Sequence, residues 1–261
     1  MAFFKTAMKK SDFLKMGISK PSWAWAVLKS AFYSKFSKAK YTRRVQEYGR
    51  YIVQFEQVLS NTSNVSLEEI KSIIQESRQL IIDRGKRTDL IPIKYDASPE
   101  LAILSYCIVR LRKPNIVVET GVARGITSFF LLSALERNGK GRLYSIDLPM
   151  MGKGEVGILV PDNLKARWEL IFGVGFREMK RLRKRINEIE IFIHDSDHSY
   201  YGQKAEYGVA LKWLAKDGIL ISDDVGNDAF LEASEESGRY PMILPQEKSE
   251  NIGILIGNPK Q

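Results

Sequence analysis

A short apolar run followed by a turn with two glycines stands near the middle of the chain, as Ile116-Val117-Val118-Glu119-Thr120-Gly121-Val122-Ala123-Arg124-Gly125. Consecutive apolar residues bounded by turn signals are typical of a strand buried on both faces of a sheet. Residues 126–137 then predict a helix, which Asn138 and Gly139 end. The stretch therefore predicts a strand, a turn and a helix, the unit from which parallel sheets are built.

The same alternation extends in both directions from this unit. Ser98, followed by Pro99, caps a predicted helix that runs to about Arg112. Later helices are predicted with Phe176, Met179, Leu182 and Ile186 inward and over residues 201–215, and later strands over 143–147, 168–172, 190–194, 218–222 and 252–256. We therefore expect an α/β fold with a doubly wound, mostly parallel sheet.

The N-terminal third differs in character. The spacing of its apolar residues predicts a helix over 41–59, with one stripe of Tyr41, Val45, Tyr48, Ile52, Phe55 and Leu59. A second helix starts at a Ser66–Glu69 capping box and ends at Gly85. We expect residues 1–90 to form a basic, aromatic-rich helical extension, with homodimer contact as one use of its helices, and residues 91–261 to form the main domain.

Positive charge is concentrated at the N-terminus. Residues 1–44 hold eleven Lys and Arg against the single acid Asp12, while the other 217 residues hold 29 basic and 30 acidic side chains. A helix predicted over 21–36 places Trp25, Leu28, Phe32 and Phe36 on one face. Three interpretations stay open: docking on the body or a second subunit, peripheral membrane contact, and nucleic-acid binding, which is the weakest of the three.

Composition excludes several classes. Apolar residues make up 44% and charged residues 27% of the 261-residue chain, values typical of globular proteins rather than disordered ones. A run of 18 apolar residues is lacking, which predicts no membrane-spanning helix, and we expect no secretory signal. Cys107 is the single cysteine, so an intrachain disulfide is excluded and a cytoplasmic setting, with or without peripheral membrane contact, is expected.

Carboxylates follow four of the predicted strands. Glu119 lies beside the glycine turn and Asp147 ends the second strand; Asp195, Asp197 and the pair Asp223-Asp224 follow the fourth and fifth strands. Both histidines of the chain, His194 and His198, fall in the same window. Because ligands bind beyond the carboxyl ends of parallel strands, these groups predict one site. For any single acid, a helix-capping role is the alternative.

The glycine turn indicates the kind of ligand. Gly121 and Gly125 are spaced Gly-x-x-x-Gly, which differs from the dinucleotide-binding pattern because position 123 is Ala. Asp147 stands 22 residues after Gly125, where an acid can accept the hydroxyls of a ribose. A nucleoside with little or no phosphate is therefore the expected ligand.

The stretches 117–125 and 144–149 resemble the cofactor site of class I S-adenosylmethionine-dependent methyltransferases. Residues 192–200 and 220–225 are similar to a subgroup of small-molecule and sugar O-methyltransferases, although Lys216-Asp217-Gly218 departs from its usual Pro-Gly-Gly. The resemblance covers about residues 90–257. It implies a seven-stranded Rossmann-like sheet and methyl transfer from S-adenosylmethionine to a hydroxyl of a small molecule or glycan.

The resemblance also implies residue roles. Glu119, Gly121, Gly125, Asp147 and Asp195 would bind the cofactor, and residues 173–176 would border its adenine, with Phe176 stacking on it. A hydroxyl acceptor must lose its proton, and two routes stay open. In the favoured route Asp195, Asp223 and Asp224 bind a divalent cation such as Mg²⁺; in the other, His198 or Asp197 is the general base.

Two alternatives to this function are open at the level of the sequence. One is a different enzyme on the same fold that uses a nucleoside or a metal, although two histidines are few for a non-haem iron site. The other is a membrane- or RNA-associated binding protein with a vestigial cofactor pocket. The identity of the methyl acceptor has no readable code in the sequence.

Overall fold

Seven strands form one sheet in the part of the chain that the computed structural model describes, residues 42–85, 97–148, 154–246 and 250–257. The strands are β1 Ile116–Thr120, β2 Arg142–Asp147, β3 Trp168–Phe172, β4 Ile189–His194, β5 Leu214–Ser222, β6 Tyr240–Leu244 and β7 Ile252–Ile256. The helices are α1 Phe55–Thr62, α2 Leu67–Gly85, α3 Pro99–Arg112, α4 Ile126–Asn138, α5 Gly175–Leu182, α6 Tyr200–Ala210 and α7 Ala229–Ser237, with 3-10 helices at Val45–Tyr51 and Asp162–Arg167.

The strand order is β3-β2-β1-β4-β5-β7-β6. The first five strands in this order, β3, β2, β1, β4 and β5, are parallel to one another. Strand β7 runs antiparallel to both of its neighbours, β5 and β6. The order reverses beside β1, which pairs with β2 on one side and β4 on the other. The doubly wound, mostly parallel sheet expected from the sequence is therefore confirmed, and the carboxyl ends of β1, β2, β4 and β5 lie at one edge.

Helices cover both faces of the sheet because the strands are apolar on both. On one face Ile70 of α2, Leu104 of α3 and Leu131 of α4 pack on strand residues such as Ile193. On the other face Met179 of α5, Tyr207 of α6 and Phe230 of α7 pack on strand residues such as Phe192. The central strands are thus held between two apolar layers. No helix among the described residues is long and apolar enough to cross a membrane.

Most predicted ends of elements are observed because local chemistry sets them. The Ser98 hydroxyl accepts a hydrogen bond from the Leu101 amide at 3.1 Å and caps α3, and Ser66 caps α2 in the same way through the Glu69 amide at 3.2 Å. Gly139 ends α4 in the left-handed conformation. The helix predicted over residues 21–36 lies outside the described residues.

The continuous helix predicted over 41–59 is wrong. Residues 52–54 leave the helical path between the 3-10 helix and α1, because Ile52 forms a parallel bridge with Ile243 and the Val53 amide donates to the Ile243 carbonyl at 3.0 Å. Pairing with the sheet edge thus outweighs the helical spacing, and Ile52 is left 51% exposed.

Two further predictions need correction. The helix predicted over 201–215 ends at Ala210, because Leu214 pairs with Ile189 and begins β5 before an irregularity in the ladder. Strand β6 has no counterpart among the strands predicted from the residues. Its Pro241 argues against a central strand, and β6 is accordingly the outermost strand of the sheet.

We expect Tyr48→Phe to destabilise the protein by about 1 kcal/mol, because the buried Tyr48 hydroxyl donates to the Asn227 carbonyl at 2.7 Å and ties the N-terminal segment to the sheet domain. Urea unfolding measures the difference. Tyr240→Phe is the matched control, since Tyr240 is 38% exposed. Equal stability of the two variants would show that the Tyr48 hydrogen bond adds nothing.

Candidate active site

The structure brings the predicted acids, glycines and histidines to one edge of the sheet. The Asp195 amide donates to the Thr120 carbonyl and the Asp223 amide to the His194 carbonyl, each at 2.8 Å. The Gly121 amide donates to the Ile146 carbonyl at 2.9 Å. These bonds continue the parallel ladders past the strand ends, so the segments after β1, β2, β4 and β5 lie side by side.

The turn after β1 requires glycine at two positions. Gly121 and Gly125 have φ values of +83° and +92°, a region that side chains disfavour. A Cβ on Gly121 would lie 1.7 Å from the Asp195 carbonyl oxygen, and one on Gly125 would lie 2.9 Å from the Gly157 Cα. The turn is therefore packed directly against the loop after β4 and against residues 154–160.

Asp147 braces this turn from the end of β2. Its Oδ2 accepts hydrogen bonds from the amides of Val122 and Ala123 at 2.7 and 2.8 Å. Burial raises the pKa of Asp147 to about 6, against the opposing effect of these amides. These bonds brace the turn and do not cap a helix, since α4 begins at Ile126 without a side-chain cap. The ribose-binding role of Asp147 stays a prediction.

Glu119 is the most deeply buried acid of the edge. Its Oε2 accepts from the hydroxyls of Ser128 and Ser145 at 2.6 and 2.7 Å, and Oε1 is buried without a hydrogen-bond partner among the described residues. Burial raises the pKa of Glu119 to about 8, the two serines oppose this, and Asp195 and Asp147 add to it. The side chain is therefore largely protonated at neutral pH.

His198 lies between two carboxylates. Its Nδ1 is 3.1 Å from Oδ2 of Asp224, and its Nε2 is 3.6 Å from Oδ1 of Asp195. Burial lowers the pKa of His198, but Asp195 and Asp224 outweigh this effect and raise the pKa well above its usual value. The two acids therefore favour the imidazolium form of His198.

Asp195, His198 and Asp223 form the group whose ligand atoms all lie within 4.8 Å of one another. Burial, followed by the charge of Asp195, raises the pKa of Asp223 to about 7. The metal set predicted from the resemblance has Asp224 in place of His198. Asp224 is adjacent to the group but contacts His198, in a left-handed backbone conformation with φ +47°. That predicted set stays a prediction.

Two other predicted residues have local contacts. Asp197 accepts from the Ser199 amide at 3.1 Å, next to the point where the Ser199 hydroxyl caps α6 through the Gly202 amide. The ring of Phe176, near the start of α5, has Lys180 Nζ 5.5 Å from its centre. The structure thus shows a turn-bracing contact for Asp197, while the catalytic role of Asp197 and the stacking role of Phe176 stay predictions.

Sequence reasoning missed two side chains of this edge. Glu206, in α6, is buried and contacts the ends of both β1 and β4. Gln246, after β6, donates to Oδ1 of Asp223 at 2.8 Å. The sequence signal that could have identified Glu206 is its position beside Tyr207 on the inward side of a predicted helix. No sequence signal indicated Gln246.

Comparisons with known proteins give a family-model match and similar folds. Residues 118–225 match the family model of a methyltransferase domain, and no curated protein sequence matches the chain. In fold, the chain is similar to an O-methyltransferase from Bacillus cereus in complex with S-adenosylhomocysteine (SAH), at 15% identity and a TM-score of 0.51, with 71% of this chain and 90% of that chain covered. A methyltransferase from Geobacter sulfurreducens is similar at 20% identity and a TM-score of 0.51, covering 71% and 88%.

We expect Glu119→Gln to flatten the pH dependence of stability. A folded-state pKa of about 8 means that the folded protein holds a proton that the unfolded chain loses above about pH 4.3, so wild-type stability falls as pH rises from there to about 8. The variant carries no such proton and should be more stable than wild type at pH 8 by on the order of a few kcal/mol.

Urea unfolding at a series of pH values measures this difference. Glu76→Gln is the control of opposite sign, because Arg110 and Tyr106 lower the pKa of Glu76 despite its burial. Because the pKa of Glu76 is lowered, Glu76→Gln should decrease the free energy of unfolding at pH values above the pKa of a free glutamate. Parallel pH profiles for wild type and Glu119→Gln would contradict the raised pKa of Glu119.

Proposed function

We propose that the chain transfers a methyl group from S-adenosylmethionine to a hydroxyl of a small molecule or glycan, because residues 118–225 match the family model of a methyltransferase domain. The observation that supports this proposal is the convergence at one sheet edge of three features. They are the turn with glycine at positions 121 and 125, the acid Asp147, and the cluster of Asp195, His198 and Asp223. A binding protein with a vestigial pocket would have no use for that cluster, and the family match favours neither of the two alternatives.

The charges of the edge fit this cofactor. Asp195 and Asp147 both raise the pKa of Glu119, so the ionised form of Glu119 is disfavoured when nothing positive lies between these acids. S-adenosylmethionine carries positive charge on its sulfonium and its ammonium group, which would relieve this repulsion. The unpartnered buried Oε1 of Glu119 supplies an acceptor of the kind that an ammonium group needs.

Each segment of the edge would take one part of the cofactor. The turn of Gly121 and Gly125 lets backbone approach the ligand, and Asp147 would accept its ribose hydroxyls. Residues 173–176 would border the adenine, with Phe176 as the stacking ring. Glu119 and Asp195 would face the methionine end.

The cofactor supplies an activated methyl group, and the protein must place the acceptor hydroxyl in line and remove its proton. Asp195 and Asp224 favour the protonated form of His198, which cannot accept a proton from the hydroxyl. A divalent cation held by Asp195 and Asp223, with Asp224 as the third acid, would lower the pKa of the hydroxyl instead. We therefore favour the cation, and His198 or Asp197 as base is the second route.

The remaining proposals concern the N-terminal residues. We propose that residues 1–90 are an extension of the domain formed by 91–261. The eleven basic residues and one acid within residues 1–44 support contact with an anionic membrane surface, because each basic side chain near such a surface adds about 1 kcal/mol. Homodimer contact through the helices of the extension is the other proposal for this segment.

Calorimetric titration with S-adenosylmethionine and SAH tests the cofactor. We expect wild type to bind both, and Asp147→Ala to weaken binding by about 10–100-fold, the effect of losing hydrogen bonds to a charged acceptor. Asp147→Asn is the matched control, since its amide oxygen still accepts from Val122 and Ala123. Absence of heat for wild type at millimolar ligand would contradict the proposed function.

Thermal unfolding tests the cation. At a Mg²⁺ or Mn²⁺ concentration 100 times the Kd, the folded state gains about 2.7 kcal/mol, which raises the Tm by several degrees. Asp223→Asn should remove this rise, whereas Asp162→Asn, at an exposed surface acid, should keep it. A Tm unaffected by either ion would eliminate the cation route.

Flotation of the full chain with vesicles tests whether the basic residues 1–44 contact a membrane. We expect binding to phosphatidylserine vesicles that weakens as salt rises, and weaker binding for the triple variant Lys9→Glu, Lys10→Glu and Lys15→Glu. Phosphatidylcholine vesicles are the control. Equal flotation with both lipids, or with neither, would contradict an electrostatic membrane contact.

A further inference from the structure

One buried carboxylate contacts several parts of the candidate site. Glu206, on α6, is 5% exposed. Its Oε2 accepts from the Thr120 hydroxyl at 2.5 Å, lies 2.8 Å from Nδ1 of His194, and accepts from the Ser196 hydroxyl at 3.0 Å. Three donors from two strand ends and one loop therefore meet at a single oxygen atom.

Each donor belongs to a segment that carries a predicted function. Thr120 ends β1 and precedes Gly121, and its carbonyl accepts from the Asp195 amide at 2.8 Å. His194 ends β4, and its carbonyl accepts from the Asp223 amide at 2.8 Å. Ser196 follows Asp195 directly. The Glu206 carboxylate thus joins the glycine turn to the loop that holds Asp195 and His198.

The other oxygen of Glu206 reaches a fourth segment. A Cβ on Gly175 would lie 1.8 Å from Oε1 of Glu206, so the carboxylate packs against the first residue of α5. That residue is part of 173–176, the segment expected to border the adenine. A larger residue at 175, or a displaced Glu206, would move this segment.

His194 depends on Glu206 for its orientation. The ring is fully buried, and Nε2 has no hydrogen-bond partner among the described residues. Two rings also lie beside it, Tyr207 and His198, at centroid distances of 5.4 and 5.7 Å. The contact of Nδ1 with the carboxylate is therefore the polar interaction that sets which face His194 turns to His198.

We propose that Glu206 is a positioning residue that fixes the glycine turn, the Asp195–His198 loop and the start of α5 relative to one another, so that the cofactor meets a preformed site. This inference rests on the proposed function. Because all three donors converge on one oxygen, an acceptor at that place is the essential property, and an amide supplies it as a carboxylate does.

A pair of variants separates the effect of hydrogen-bond acceptance by residue 206 from the effect of its side-chain volume. Glu206→Gln keeps an oxygen at the point where the three donors meet, whereas Glu206→Leu fills similar space and leaves the donors unsatisfied. The matched control is Glu76→Leu, on α2, because Glu76 also accepts from neighbouring side chains, Tyr106 at 2.9 Å and Arg110 at 3.1 Å, but on the opposite face of the sheet.

The first measurement is the Kd for SAH by calorimetry, at a temperature where all variants are folded. We expect Glu206→Leu to weaken binding by about 10–100-fold, as removal of a group that orients ligand-binding residues does. The Kd of Glu206→Gln should stay within about threefold of the wild-type value. The Kd of Glu76→Leu should do the same, even if the Tm of Glu76→Leu falls as far as that of Glu206→Leu. An unchanged Kd for Glu206→Leu would overturn the proposal.

The second measurement uses the imidazole signals in long-range ¹H–¹⁵N spectra. The chain has two histidines, so two sets of signals are expected. We expect His194 to carry a proton on Nδ1 in wild type and Glu206→Gln, and to lose this signature in Glu206→Leu. If wild type does not bind SAH, the proposed function fails, and the imidazole signature decides the positioning role alone. Retention of the wild-type signature in Glu206→Leu would then overturn it.

If Glu206→Leu does not fold, the double variant Thr120→Val and Ser196→Ala takes its place. It removes two of the three donors and keeps the carboxylate with His194. A weaker Kd for SAH supports the positioning role, and a wild-type Kd overturns it.

Discussion

The packing of the β1 turn against the loop after β4 is the constraint on which the site depends. The Asp195 carbonyl occupies the place where any residue other than glycine at 121 would have its Cβ. The same loop is tied to β1 through the bond from the Asp195 amide to Thr120. Because the two strands are parallel neighbours where the sheet order reverses, this close approach places a backbone-lined cradle beside a cluster of acids.

Electrostatic strain accompanies this arrangement. Burial and mutual repulsion raise the pKa values of Glu119, Asp147 and Asp223 above those of free acids, and His198 is drawn into its charged form by the acids beside it. Stability that is given up by burying like charges is recovered when a cation enters the site. A positive charge at this edge would therefore lower the pKa of each acid beside it.

Sequence reasoning succeeded where local pattern and strand order determine the outcome. Strands such as β3 and β7 were predicted because most of their residues are apolar. The alternation of strands and helices along the chain placed Asp147 and Asp195, after β2 and β4, at one edge. It failed where tertiary contacts decide. The helix predicted over 41–59 is interrupted because Ile52 pairs with Ile243. Strand β6 was not predicted because it contains Pro241. The contacts of Glu206 could not be predicted because its three donors are distant from it in the sequence. Whether His198 or Asp224 lies closer to Asp195 and Asp223 also depends on side-chain directions that spacing does not encode.

The short extended segment at Ile52 and Val53 has a consequence for the solubility of the protein. By bonding to Ile243 it occupies part of the outer side of β6, the open margin of an otherwise apolar sheet. Uncovered strand margins recruit other chains and lead to aggregation. A shortened chain beginning at residue 97 would retain every group of the candidate site. It would nevertheless expose both this margin and the apolar surface that α1 and α2 cover, so self-association is the expected consequence.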